Sequence, residues 1–158
     1  MAETAEDILR ESLAGRLGRK VSSTSLAANS LTVDIETLPD EHSELWLWFE
    51  PTWHIGCPEG VILGSRQAQV EDKQQHDELG RVAAQLVGRT IERLDLDERT
   101  RDIQMQLSGG YWVRTFVSDP NDEEIWYIRD KGRGLAVGAS PKQFFVREVQ
   151  SLQHPAAG

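Results

Sequence analysis

The chain has 158 residues, with 26 Asp and Glu against 17 Lys and Arg, and therefore a formal net charge of −9 at pH 7. Its hydrophobic content of 39% is enough for one compact domain or two small lobes with a shared core, which excludes a chain that is disordered throughout. The single cysteine, Cys57, excludes an internal disulfide and a cysteine-based zinc site, and is typical of a reducing compartment. The sequence has no apolar run near the roughly 18 residues of a membrane span and no secretory signal pattern, so we expect a cytoplasmic protein.

The N-terminal segment predicts a helix followed by strands. Thr4 and Asp7 have the spacing of a capping box, and apolar residues follow at nearly helical intervals: Ala5, Ile8, Leu9, Leu13 and Leu17. Gly18 stands where a helix C-terminal glycine belongs. Polar and apolar residues then alternate, which predicts short strands over residues 20–26, 31–38, 44–50, 52–55 and 61–63.

The second part of the chain repeats this order. A helix is predicted from about residue 71, with one buried stripe formed by Leu79, Val82, Ala83, Leu86 and Val87, and Gly88 follows it. Strands are expected over 90–96, 102–107, 111–117, 125–129 and 135–137, with turns at 108–110 and 131–134. A last strand is expected over 144–149, and residues 151–158 are expected to form a flexible tail.

The two parts align with each other over most of their length. Residues 17–21 match 87–91 at an offset of 70, residues 31–35 match 103–107 at 72, residues 53–55 match 126–128 at 73, and residues 61–65 match 135–139 at 74. The alternative is that strands and turns resemble one another without common origin. The sequence therefore predicts an α+β protein made of two similar helix-plus-antiparallel-sheet units, about 4–70 and 71–142, related by a pseudo-twofold or continued in one sheet. We expect both units to belong to one domain, residues 1–150.

The negative charge is concentrated in the first part of the chain. Residues 1–80 carry 15 acidic and 6 basic side chains, whereas residues 81–158 carry 11 of each. Between Lys20 and Arg66 there are seven acidic residues and no Lys or Arg. Such a surface disfavours nucleic acid, which binds through Lys and Arg, and favours a basic protein partner. The acids could equally serve to keep the surface solvated.

Two tryptophans stand out in this acidic part. Trp46 and Trp48 alternate with Leu45, Leu47 and Phe49, so both faces of the predicted strand are apolar. The tryptophans are therefore either covered by a second layer or presented to a partner. Four acids flank the pair and would attract a basic partner to it: Asp40, Glu41, Glu44 and Glu50. In the corresponding strand of the second part, Arg114 interrupts both the acidity and the aromatic run.

The residues that could carry chemistry form no recognisable catalytic or metal motif. His54 and Cys57 are three residues apart, but further zinc ligands are missing nearby, and residues 119–124 lack the glycine of a calcium-binding EF-hand loop. The sequence has no phosphate-binding glycine loop, no hydrolase nucleophile elbow and no zinc-protease motif. We therefore expect no enzyme activity, catalytic residue, metal or cofactor, with a small enzyme as the least favoured alternative.

Three short segments occur once in each part of the chain. They are G-R-x-V/I at 18–21 and 88–91, W-x-I at 53–55 and 126–128, and an apolar run with Gly-Ser or Gly-Ala at 61–65 and 135–139. Over most of residues 13–140, this pattern resembles small bacterial domains, some of which are immunity proteins of polymorphic or contact-dependent toxin systems. The resemblance implies a cytoplasmic, catalytically inert protein that neutralises a basic partner such as a toxin domain. An adaptor or structural protein is the alternative, and either a monomer or a homodimer is compatible with the sequence.

Overall fold

The computed structural model describes residues 2–39 and 45–149, and within them the protein is α+β. The helices are α1 (Ala5–Ala14) and α2 (Lys73–Ala83). The strands are β1 (Val21–Ala27), β2 (Ser30–Ile35), β3 (Leu45–Phe49), β4 (Trp53–Cys57), β5 (Gly60–Gly64), β6 (Ile91–Leu96), β7 (Ile103–Leu107), β8 (Tyr111–Thr115), β9 (Trp126–Asp130), β10 (Leu135–Ala139) and β11 (Phe144–Glu148). These strands lie where the alternation predicts them, shifted by a few residues at their ends. The tail expected over 151–158 lies outside the described residues.

The strands form two antiparallel sheets. One has six strands in the order β1-β2-β3-β9-β10-β11, and the other has five in the order β5-β4-β8-β7-β6. The chain passes from the first sheet to the second between β3 and β4, and returns between β8 and β9. Strands from before and after residue 70 are therefore hydrogen-bonded to each other in both sheets, so the two units predicted from the sequence do not each hold a sheet of their own.

One hydrophobic core includes the inner faces of both sheets and residues of both helices. Along β3, Leu45, Leu47 and Phe49 are buried, and the same alternation buries Ile103, Met105 and Leu107 along β7. This is the periodicity of a strand with one face on the core. The largest wholly buried side chains are Trp53 and Trp126, followed by Phe49. Each tryptophan donates its indole N–H to a backbone carbonyl oxygen, that of Asn29 at 2.8 Å and that of Arg101 at 2.7 Å.

The capping box predicted for α1 is confirmed. The Thr4 hydroxyl accepts a hydrogen bond from the Asp7 N–H, and the Asp7 carboxylate accepts one from the Thr4 N–H, both at 3.1 Å. These bonds hold the pKa of Asp7 below its usual range. The predicted stripe is wrong at its C-terminal end, because α1 ends at Ala14 and Leu17 lies beyond it, 49% exposed. Gly15 caps the helix, and the chain then turns before Gly18.

The second helix is also shorter than its stripe. Asp72 caps α2 by accepting a hydrogen bond from the Gln74 N–H at 2.9 Å, and a 3₁₀ turn at Ala84–Leu86 follows the helix. This turn places Leu86 in the core and leaves Val87 43% exposed. Within the described residues, no helix has the length and the apolar run needed to cross a membrane.

The alternation along β3 predicts unequal effects on stability for neighbouring residues. Leu47→Ala removes a wholly buried side chain and is expected to lower the free energy of unfolding by about 2–5 kcal/mol. Trp46→Ala, on the opposite and partly exposed face, is expected to cost less than half as much. Urea unfolding measured by circular dichroism checks both values, and equal losses would contradict the assignment of the inner and outer faces.

Candidate functional site

Trp46 and Trp48 lie on the outer face of the six-stranded sheet. Both are partly exposed, whereas Leu45, Leu47 and Phe49 of the same strand are buried on the core side. Strand β3 is central, with β2 on one side and β9 on the other. The two tryptophans are therefore not in the core, and they project from a strand that is held on both sides by backbone hydrogen bonds.

Strand pairing aligns side chains on this face in two rows across the sheet. In the first, Trp48 pairs with Tyr127 of β9, which is followed by Gly138 of β10 and Phe145 of β11. In the second, Asp34 of β2 is followed by Trp46, Arg129, Ala136 and Arg147. We call these the aromatic row and the arginine row.

The sequence analysis found the two tryptophans but missed the rest of both rows. Tyr127 and Arg129 alternate with buried Trp126 and Ile128, and Phe145 and Arg147 occupy alternate positions of β11. That alternation was available in the sequence as a signal of an outer face. It could not show that β9 pairs with β3, which lies far from it in the chain.

Trp48 is held in a defined position by its neighbours. Its ring stacks on that of Tyr127, with centroids 5.8 Å apart and planes 10° from parallel. Its indole N–H donates to the Glu50 carboxylate at 2.6 Å, and the Ser30 hydroxyl donates to the second oxygen of that carboxylate at 2.8 Å. Burial raises the pKa of the Tyr127 hydroxyl, and the nearby carboxylates of Glu50 and Glu124 raise it further. Glu50, predicted to attract a basic partner, therefore already anchors Trp48.

Trp46 lies beside two cations, Arg129 of β9 and Lys131, which directly follows β9. The guanidinium carbon of Arg129 is 5.9 Å from the centroid of the Trp46 ring, and the Lys131 ammonium is 5.0 Å from it. Both are within the range of cation–π attraction. On the other side, Asp34 accepts a hydrogen bond from the Ser23 hydroxyl at 2.6 Å. Acidic and basic side chains thus lie on opposite sides of Trp46. The other predicted partner-binding acids, Asp40, Glu41 and Glu44, lie outside the described residues.

A groove runs along β10 on this face. The outward positions of β10 are Ala136 and Gly138. These residues are small, and the larger side chains of β9 and β11 stand on either side of them. A side chain at Gly138 would overlap the Trp126 carbonyl oxygen and Tyr127, so this position requires glycine. The groove has a volume of about 400 Å³ and is lined by Tyr127, Arg129, Ala136, Arg147, Glu148 and Val149. We call it the β10 groove.

Two arginines of the groove have different environments. Arg147 forms an ion pair with Glu124 and lies over the rings of Tyr127 and Phe145, 5.6 and 4.9 Å from their centroids. The Arg129 side chain forms neither a hydrogen bond nor an ion pair with any other residue within 2–39 and 45–149, and its Nε–H is buried without an acceptor. Buried donors of this kind are rare, because the water that they lose is normally replaced by a protein acceptor.

The outer face of the five-stranded sheet carries a different cluster. The His54 ring lies 4.6 Å from the Phe116 ring, and Arg114 lies 4.1 Å from the same ring.

Cys57 is buried, and its thiol donates to the Glu59 carboxylate at 3.0 Å, which holds the pKa of Glu59 below its usual range. Among the described residues, no three His, Cys, Asp or Glu side chains are placed to hold a metal ion.

The sequence matches no protein-family model, and comparisons with curated proteins and with solved structures give no match either. The candidate site is therefore defined by the geometry of the outer face: two partly exposed tryptophans, an aromatic row, an arginine row and the β10 groove.

The charges around Trp46 predict its response to ionic quenchers. Iodide should quench the Trp46 contribution, taken as the difference between wild type and Trp46→Phe, more strongly than caesium does, because Arg129 and Lys131 attract the anion. The excess should shrink as salt rises. Stern–Volmer titrations measure this, with Trp112→Phe as the control from the other sheet. A Trp46 contribution insensitive to both ions would contradict its exposure.

A second prediction concerns the protonation of His54. Burial lowers the pKa of His54, and the Arg114 cation lowers it further. The unfolded chain then binds this proton more readily than the folded protein, so the His54 contribution to stability rises with pH between the lowered value and about 6.5, and is lost as pH falls. Arg114→Gln should raise the His54 pKa only part of the way, since burial remains. An NMR titration of the ring protons checks this, and a pKa unchanged in Arg114→Gln would contradict the electrostatic coupling.

Proposed function

We propose that the protein is a non-enzymatic protein-binding protein of the immunity type, and that it binds its partner through the outer face of the six-stranded sheet. The observation that carries the proposal is the position of Trp46 and Trp48, which lie side by side and partly exposed on a central strand. Large aromatic side chains dominate the energy of protein interfaces when they are desolvated by a partner. The proposed mechanism is steric occlusion of the surface through which the partner acts.

The rigidity of the face supports this proposal. Trp48 is fixed by its stack on Tyr127 and by its hydrogen bond to Glu50, so little side-chain freedom is lost when a partner covers it. Backbone pairing on both sides holds β3 in place. A preformed surface of this kind loses less conformational entropy on binding than a mobile loop does.

The charge of the molecule favours a basic partner at long range. A net charge of −9 attracts a basic domain and speeds its encounter, and this effect weakens with salt. At short range the face has both signs, with Asp34 on one side of Trp46 and Arg129 on the other. The proposed partner is therefore basic overall and meets a face of mixed charge.

The mixed charge also favours a second candidate, an adaptor that forms a homodimer through the same face. In a twofold interface each patch meets its own copy, so a row with Asp34 and Arg129 on either side of Trp46 can be self-complementary. Sedimentation velocity distinguishes the two candidates, because a homodimer forms without any added partner.

We also infer that the chain consists of two related units that exchange their last two strands between the sheets. Gly18 and Gly88 both have φ of 83°, and they donate to the carbonyl oxygens of Ile91 and Val21, both at 2.8 Å. The orders β1-β2-β3-β9-β10 and β6-β7-β8-β4-β5 correspond strand by strand. The register shifts after Val21 in one sheet and after Ile91 in the other. These correspondences support the internal duplication expected from the sequence offsets.

A binding measurement tests the proposed function. The protein encoded by the neighbouring gene, as the candidate partner, is titrated on the immobilised chain by surface plasmon resonance. Trp46→Ala with Trp48→Ala should weaken binding at least about tenfold, since interface tryptophans commonly contribute more than 1–2 kcal/mol each. Trp112→Ala, a partly exposed tryptophan of the other sheet, is the matched control and should bind like wild type. Absence of a complex at micromolar concentrations and low salt, or equal binding by both variants, counts against the proposal.

A further inference from the structure

We propose that the β10 groove binds an extended acidic segment of the partner protein, with a carboxylate of that segment paired to Arg129. This inference rests on the proposed protein-binding function and names the chemistry of the segment that the groove receives. It assigns a specific role to the arginine row, which the sequence analysis did not foresee.

The first argument is the environment of Arg129. Its Nε–H is buried without an acceptor, and its guanidinium pairs with no other residue within 2–39 and 45–149. Contact with the Trp46 ring, at 5.9 Å, orients the group but accepts no hydrogen bond. A guanidinium matches the two oxygens of a carboxylate through a pair of N–H donors, and such charge-assisted bonds are among the strongest in proteins. A carboxylate supplied by a partner would give the guanidinium an acceptor, which it lacks among the described residues.

The second argument is the shape of the groove. Its floor is Ala136, and the strands that form its walls, β9 and β11, are separated by two strand spacings, about 10 Å. The groove therefore runs parallel to β10 and suits a segment in extended conformation, whose successive side chains point in opposite directions. Tyr127 of the aromatic row, which also lines the groove, offers an apolar contact to side chains next to the carboxylate.

The third argument concerns the other charges along the groove. Arg147 also lines it, and its ion pair with Glu124 leaves its remaining donors able to share a second acceptor. Glu148 lies at the rim and opposes a segment with acidic side chains along its whole length. The net charge of −9 has the same effect at long range. The groove thus favours one or two carboxylates among apolar residues, rather than a polymer such as single-stranded DNA with a charge on every unit.

Fluorescence anisotropy with labelled probes tests the inference. The first probe is a short synthetic peptide with two glutamates among leucines. The second has lysine in place of glutamate, and the third is oligothymidylate. We expect the glutamate peptide to bind and the other two not to bind. Arg129→Gln should weaken binding about tenfold or more, because the charge-assisted bonds are lost. Arg129→Lys, which keeps the charge without the paired donors, should fall between Gln and wild type.

Arg114→Gln is the matched control, since Arg114 also lies over an aromatic ring on an outer sheet face, but in the other sheet. It should leave the affinity for the glutamate peptide unchanged. Circular dichroism establishes that each variant is folded. Should Arg129→Gln prove unfolded, Ala136→Leu, which fills the floor of the groove, replaces it and should also weaken binding.

The outcomes separate this inference from the proposed function. Equal binding of the glutamate and lysine peptides, preferential binding of oligothymidylate, no binding at all, or full affinity in Arg129→Gln would overturn the acidic-segment inference. If the tryptophan variants nevertheless lose the partner, the protein-binding function stands without it. Loss of peptide binding in Arg129→Gln, with Arg114→Gln unaffected, supports the inference by a readout independent of the partner.

Discussion

The pairing of β3 with β9, and of β4 with β8, is the constraint on which the rest of this structure depends. Each pairing lies in the middle of a sheet and joins strands from distant parts of the chain. Together they bring the inner faces of both sheets into one hydrophobic core. The β3–β9 pairing also places Trp48 beside Tyr127 and Trp46 beside Arg129, so the candidate site exists only because this long-range pairing forms.

Local patterns in the sequence were sufficient to predict the elements of the fold. Alternation located the strands, and the Thr4 capping box located the start of the first helix, because both signals are encoded by residues close together in the chain. The predicted end of that helix was wrong, because the helix ends at Ala14. Leu17 continued the apolar spacing, but Gly15 ends the helix before it and the side chain is left largely exposed. The assignment of strands to sheets depended on pairing between distant residues, for which one sequence has no direct signal.

The difference between local patterns and long-range pairing also explains how much of the candidate site could be predicted. Trp46 and Trp48 were identified from their own alternation with buried neighbours. The acidity expected around them was inferred from neighbours along the chain. Across the sheet, Trp46 pairs with Asp34 on one side and lies within cation–π range of Arg129 and Lys131 on the other. Glu50 was predicted to attract a basic partner, and its carboxylate is engaged by Trp48 and Ser30. In a sheet, the electrostatic surroundings of a residue are set by its cross-strand neighbours as much as by its sequence neighbours.

The pairing of β3 with β9 and of β4 with β8 also has a consequence for the biosynthesis of the protein. When the ribosome has released the chain as far as β5, β3 lacks its neighbour β9, and β4 lacks its neighbour β8. The edge of the tryptophan-bearing strand then remains open to other chains until most of the polypeptide has emerged. Native structure must therefore form late in translation or after release. Truncated products would expose an unpaired strand edge, which favours aggregation or binding by chaperones.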